Sequence, residues 1–253
     1  MSKLFAKETD LCAAFLKEVA REKKWTAYPE SAGFDIVLVR NVDGVQIGIE
    51  AKLALNSAVI VQGCEGARGW SRGVSGPDYR AVLVPDDATR SLGPLCGMIG
   101  LTVISVRKAR WSTRIPFDFY PALPKEDGFE RDDWHQWCPV ERLKLPEYVP
   151  DVAAGASAPL ALTHWKIGAI KLAILLEERE ITRADFKAFG ISPSRWTDPY
   201  TGWLEKGVSG YRAGPGLPDF KSQHPVNYEQ IKADKAKWAP PARPAAAKTG
   251  VLL

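Results

Sequence analysis

Residues 34–53, Phe-Asp-Ile-Val-Leu-Val-Arg-Asn-Val-Asp-Gly-Val-Gln-Ile-Gly-Ile-Glu-Ala-Lys-Leu, constrain the fold more than any other stretch of the chain. Ile36 to Val39 form an apolar run, Asn41 to Gly44 carry turn-forming residues, and Val45 to Leu53 form a second run, the pattern of a β-hairpin. On the second strand Ile47, Ile49 and Ala51 alternate with Glu50 and Lys52, so the two charged residues share one face. Asp35 opens the first strand. A core-like hairpin with a carboxylate on one strand and a carboxylate and an ammonium on the next is costly if buried, unless those charges are paired or used.

The elements around the hairpin read as an α/β arrangement. Leu11, Phe15 and Val19, widened by Leu16 and Ala20, predict an amphipathic helix over residues 9–24, with Glu18 beside its apolar stripe. Trp25 to Glu30 reads as a strand. Residues 57–72 read as a helix or helix-like turn weakened by Gly63, Gly66 and Gly69. A strand over Tyr79 to Pro85, a short helix over Leu92 to Ile99 and a strand over Leu101 to Val106 complete a mixed sheet flanked by helices.

A carboxylate on one strand and Glu-x-Lys on the next, after a helix carrying Glu18, resembles the PD-(D/E)XK nuclease superfamily, which has a restriction-endonuclease-like fold. The resemblance spans about residues 9–107 and rests on Asp35 and on Glu50-Ala51-Lys52; Gly33-Phe34 stands where the family often has proline. It implies a metal-dependent deoxyribonuclease that hydrolyses phosphodiesters; an endonuclease is expected over an exonuclease because the helix-turn-helix pattern of residues 181–196 would grip internal duplex. It implies Mg2+ (or Mn2+) on the Asp35 and Glu50 carboxylates and the Ala51 carbonyl, with Lys52 orienting water and stabilising charge. Hard oxygen donors suit such an ion. Glu18 matches the acidic residue that many members carry on the first helix, and answers equally to an exposed helix charge. Glu30 is a further candidate ligand or substrate-side carboxylate, and answers somewhat better to an ordinary strand-end charge. Gln62 stands where many members place a glutamine, and equally suits an ordinary helix start. Arg68, Arg72 and the run Arg107, Lys108 and Arg110 are candidate phosphate contacts.

Residues 115–159 are rich in proline and aromatics and carry an acidic cluster; residues 152–159 read as a flexible linker. From about Leu160 a second pattern starts. A helix over Thr163 to Glu178 buries Ile167, Ile170, Ile174 and Leu175. Ile181 to Trp196 then follows helix-turn-helix grammar, with Thr182 as a cap, Gly190 at the turn and a second helix from Ser192-Pro193. With Trp203 to Tyr211 as a wing, this resembles a small winged-helix α+β domain. Arg183, Lys187, Ser192, Ser194 and Arg195 are its candidate DNA contacts, and protein contacts are the other use of such a module. Trp196 and Trp203 read as core. The expected division is 1–114 nuclease-like, 115–159 connector, 160–237 DNA-binding and 238–253 disordered tail.

Charge fits this division. The net charge is only +4, but residues 160–253 carry 14 Lys and Arg against 9 Asp and Glu, whereas residues 1–159 carry 20 against 21. Cys12, Cys64, Cys96 and Cys138 are too far apart for a zinc knuckle or a redox pair and are expected as buried free thiols, while His135, His164 and His224 suggest no metal cluster. No signal peptide or transmembrane span is legible, so a cytoplasmic protein is expected. Duplex cleavage with one active site per chain favours a homodimer. Two further readings stay open: a nuclease-fold DNA-binding protein without turnover, and a regulator or inhibitor acting through protein contacts.

Overall fold

The computed structural model describes residues 4–65, 75–88, 91–109, 116–126, 133–157 and 160–240. It divides into two compact units, Met1–Thr163 and His164–Leu253. The first is a mixed α/β unit. Its elements in chain order are α1 (Glu8–Glu22), β1 (Trp25–Ser31), β2 (Phe34–Arg40), β3 (Gln46–Ala51), α2 (Ser57–Gly63), β4 (Ser75–Gly76), β5 (Tyr79–Pro85), α3 (Gly93–Met98), β6 (Thr102–Lys108), β7 (Phe117–Tyr120) and β8 (Glu141–Arg142).

Six of these strands form one sheet in the order β1-β2-β3-β5-β6-β7. β1, β2 and β3 are antiparallel neighbours, β3, β5 and β6 run parallel, and β7 closes the edge antiparallel to β6. Parallel strands need a crossover connection, and the stretch between β3 and β5 contains α2 for this purpose. The sheet is covered on two faces. Leu11, Phe15 and Val19 of α1 recur at i, i+4 and i+8 and pack with Ile36, Leu38, Ile47, Ile49 and Ala51. Val59 and Ile60 of α2 pack with Val82, Val84, Cys96 and Leu101 on the other face. Each such large aliphatic or aromatic side chain, once buried, contributes about 1.5–3 kcal/mol.

The hairpin is held by its own sequence. Arg40 Nε donates to Asp43 Oδ1 at 2.9 Å across the turn, and Arg40 Nη1 donates to the Pro124 carbonyl at 3.0 Å. Gly48 is required by packing: a Cβ there would meet the Phe34 ring at 2.6 Å.

The stretch expected as a connector is built into this first unit. Phe117–Tyr120 forms β7, and the Phe119 ring meets Phe15 edge to face. Gln46 and Leu143 exchange hydrogen bonds at 3.0 and 2.8 Å, and Arg142 Nε donates to buried Asp78 at 2.8 Å. Residues 152–157 are no free linker either, since Ala154 is buried in the α1 core. Apolar Ala and the small Gly155 allow that close packing, so the same composition that reads as a spacer serves as a tight cover.

The second unit contains α4 (His164–Leu176), α5 (Arg183–Ala188), β9 (Leu204–Lys206), β10 (Tyr211–Ala213), α6 (Phe220–Gln223), α7 (Pro225–Ala233) and α8 (Lys235–Trp238). α4 is buried on most sides, from Ile167 to Leu175, and is the unit's central helix rather than a one-faced one. β9 and β10 form the expected hairpin, anchored by Glu180, which accepts from the N–H groups of Val208 and Ser209 at 3.0 and 2.6 Å. The second helix of the helix-turn-helix does not form. From Pro193 there is one turn, closed by Trp196 and Thr197 N–H groups donating to the Pro193 carbonyl at 2.9 Å. Pro199 disfavours helical backbone at Asp198, and Trp196 is drawn into a cluster with Phe186, Trp203 and Phe220. A winged-helix fold is therefore not seen in full. Among the described residues no helix is long and apolar enough to cross a membrane.

Candidate active site

The pairing of β2 with β3 sets the site. Ile36 faces Ile49 in the register, so one step further Asp35 faces Glu50. Because Ile36, Ile49 and Ala51 join the α1 core, alternation sends Asp35 and Glu50 to the opposite face of their strands. Asp35 Oδ2 accepts the Ala51 N–H at 2.7 Å, a carboxylate doing the work of a main-chain carbonyl at the end of the ladder. β3 then ends. The Lys52 N–H donates to the Leu83 carbonyl at 3.0 Å, and Lys52 Nζ lies 2.8 Å from Glu8 Oε2 in the first turn of α1.

Charge at this point is unbalanced. Lys52 pairs with Glu8 and also feels the charges of Asp35 and Glu50. Burial and the neighbouring Asp35 push the Glu50 carboxyl up to about 8, with Lys52 pulling the other way. Glu50 is 7% exposed, and no donor among the described residues bonds it. Burial also raises Asp35, against the Ala51 N–H and Lys52. For Lys52, burial opposes the charge, but the Glu8 hydrogen bond and the charges of Glu8, Asp35 and Glu50 outweigh it and hold the ammonium above its ordinary value.

A second layer lies beneath. Glu30 lies between the Pro29–Ile36 and Ser31–Phe34 pairs and adopts φ +47°, in the left-handed region. Its carboxylate accepts the Ala156 N–H at 3.1 Å, and burial raises its pKa. Gly155, at φ +74°, sits close against α1: a Cβ would meet Cys12 Sγ at 3.0 Å. Cys12 is fully buried, and burial followed by Asp35, Glu30 and Glu8 pushes its thiol up to about 12. It is a neutral packing group here, not a nucleophile.

The other sequence candidates lie as follows. Glu18 sits ten residues beyond Glu8 on α1, about 15 Å along the axis, and its carboxylate takes Arg21 at 3.1 Å. The helix carboxylate at the cluster is Glu8, which the sequence reading missed; the signal was its place in the first turn, level with the strand ends rather than the middle of the helix. Gln62 is exposed on α2, whose inward residues are Val59, Ile60 and Gly63. Buried Arg80 was also missed. It donates to the Gly63 and Glu65 carbonyls at 3.1 and 2.7 Å, tying the end of α2 to β5, and feels the charge of Glu50. Arg107 pairs with Asp118 at 3.1 Å. Arg68, Arg72 and Arg110 lie outside the described residues. Cys138 is exposed rather than buried.

In the second unit, Arg183 and Lys187 are exposed on α5, and the hydroxyls of Ser192 and Ser194 bond each other at 3.0 Å. The Arg195 guanidinium lies over the Trp203 ring at 5.1 Å. No recognition helix gathers these five residues.

The Asp35–Glu50 cluster suits a hard divalent cation. It offers oxygen donors alone, an excess of negative charge, and a buried carboxylate without a hydrogen-bond donor among the described residues. Among the described residues no group of three His, Cys, Asp or Glu side chains converges as a metal centre, so any ion here rests on two carboxylates and backbone oxygen. Comparison of the chain with protein-family models, curated proteins and solved structures returns no match.

Proposed function

We propose that the chain is a Mg2+- or Mn2+-dependent deoxyribonuclease of the restriction-endonuclease-like kind, with Asp35, Glu50 and the Ala51 carbonyl as metal ligands. The observation that carries this reading is the facing pair Asp35 and Glu50 beside Lys52, with the Glu50 carboxyl pushed up to about 8 by burial and by Asp35. Such a pair is poorly stable without a cation. A bound divalent ion would supply charge neutralisation at phosphorus and a more acidic water.

The chain's own groups supply the rest. The Ala51 N–H fixes Asp35 and leaves its second oxygen for a ligand. Lys52 is held as an ammonium by Glu8, so its role is to bind and stabilise a phosphate oxygen and to orient water, not to act as a general base. Glu8 is the positioning residue for Lys52. Arg80 keeps α2 in place behind β3 and β5. The basic excess of residues 160–253 supports a polyanionic substrate.

A cleavage assay on linear, circular, single-stranded and branched DNA with Mg2+ or Mn2+ tests the reading. Cleavage that vanishes in Lys52→Ala and Asp35→Ala, with DNA binding retained in Lys52→Ala, is the expected result. No cleavage of any substrate with either ion, together with no metal binding by calorimetry, would sink it.

A further inference from the structure

The recognition helix expected from Pro193 does not form in the second unit, yet an aromatic surface lies around that turn. Trp196, Trp203 and Phe220 pack together, with Trp196 only 1% exposed. That cluster does not end in the core. Trp165, in the first turn of α4, meets Trp203 edge to face at 6.4 Å and is 43% exposed. Arg195 covers the face of Trp203 at 5.1 Å and is itself exposed, so its planar guanidinium presents a second stackable surface. Tyr200, at the tip of the turn that leads into Trp203, is 96% exposed. Lys166 stands over Phe220 at 5.3 Å and donates to Gln223 at 2.9 Å.

Single exposed aromatics are ordinary on a protein surface. Here Trp165 packs against the cluster and is fixed by it, Tyr200 lies three residues before Trp203, and cations are interleaved with the rings. Charge around the rings is mixed: Arg195 and Lys166 stand over them, and Asp198 is held as a carboxylate by its hydrogen bonds. Arg195 makes no ion pair among the described residues. The nearby Asp198 carboxylate is engaged by the N–H groups of Tyr200 and Thr201 at 2.9 and 2.7 Å, and Glu205 is paired with Arg212 at 2.8 Å. Rings with interleaved cations suit a strand whose bases are unpaired, since base faces are hidden inside a duplex while phosphates attract the cations. α5 is six residues long and Pro193 opens only a single turn, so the expected recognition helix for duplex base edges is not formed.

We infer that Trp165, Arg195, Tyr200 and the Trp203 cluster form a stacking platform for single-stranded DNA. The choice of DNA rests on the nuclease reading above; the platform itself is independent of the catalytic cluster. It makes the preferred substrate one with unpaired bases, such as a single strand, a flap or a bubble.

The test is fluorescence anisotropy of a labelled oligothymidylate with the full chain in EDTA at low salt, with a duplex of equal length alongside. Trp165→Ala, Tyr200→Ala and Arg195→Ala should each weaken single-strand binding by about tenfold, Trp165→Phe should retain most of it, and the duplex should bind more weakly than the single strand. Binding in EDTA reports on this proposal and cleavage in Mg2+ on the nuclease reading, so the two can fail separately. Unchanged melting temperatures of the exposed-site variants confirm that the fold is intact. Single-strand affinity that is absent, that survives all three alanine substitutions, or that is no greater than duplex affinity would overturn the platform.

Discussion

Replacing Glu50 by glutamine should stabilise the metal-free protein, and only at higher pH. The Glu50 carboxyl is raised from 4.5 to about 8, first by burial and then by Asp35. Between these values the folded chain holds a proton that the unfolded chain has released. Stability contributed by this group therefore falls as pH rises through that window and levels off above it. At about 1.4 kcal/mol per pH unit the full excursion corresponds to about 4–5 kcal/mol. Lys52 moving toward the ionised carboxylate recovers part of this, so the observable gain for Glu50→Gln is about 2–3 kcal/mol. Urea unfolding in EDTA, run for both proteins at intervals from pH 4.5 to pH 8, reads the difference directly, because every other titrating group is common to both. The variant should match the unaltered chain at the acid end and exceed it by about 2–3 kcal/mol at the alkaline end. Adding Mg2+ should then stabilise the unaltered chain and leave Glu50→Gln unmoved. Parallel stability profiles for the two proteins would refute the account of a strained, cation-seeking carboxylate.

Further expectations follow from other parts of the structure. Glu8→Gln removes a half-exposed ion pair to Lys52, so thermal unfolding should register a loss of no more than about 1 kcal/mol, while cleavage should fall because Lys52 is no longer positioned; an unchanged cleavage rate would remove Glu8 from the site. Gly48→Ala places a Cβ 2.6 Å from the Phe34 ring and should cost about 1–3 kcal/mol in chemical denaturation, by forced repacking of the hairpin. Thiol titration of the native protein at pH 8 should modify exposed Cys138 promptly and leave Cys12, pushed up to about 12, unreacted until denaturant is added. Glu180→Ala should loosen the β9–β10 turn, seen as faster amide exchange at Val208 and Ser209, whose N–H groups it accepts.

Much of the first unit was legible because its periodicities are strong. The alternation of Ile47, Ile49 and Ala51 with Glu50 and Lys52 set the face of those two charges, and α1 announced itself through Leu11, Phe15 and Val19. Local pattern failed where distant partners decide. Val-Ala-Ala-Gly-Ala reads as a spacer, yet Ala154 is buried and Gly155 sits against Cys12, and the Glu30 carboxylate accepts the Ala156 N–H. Ser-Pro-Ser-Arg-Trp reads as a helix start, yet Trp196 is captured by Phe186, Trp203 and Phe220, and Pro199 stops the turn.

The candidate site divides in the same way. Sequence alone named Asp35, Glu50 and Lys52, since a strand alternates with period two and a hairpin brings its neighbours together. It left the helix carboxylate undecided between family pattern and helix face, and Glu18 was the wrong choice for this cluster. Only the docking of α1 on the sheet brings Glu8 to 2.8 Å from Lys52, nearly three turns away from Glu18. Only the tertiary structure buries Glu50 without a donor among the described residues and so converts a charge pattern into a carboxyl raised to about 8. A sequence determines which side a residue faces; how far its charge is removed from water depends on what the rest of the chain lays over it.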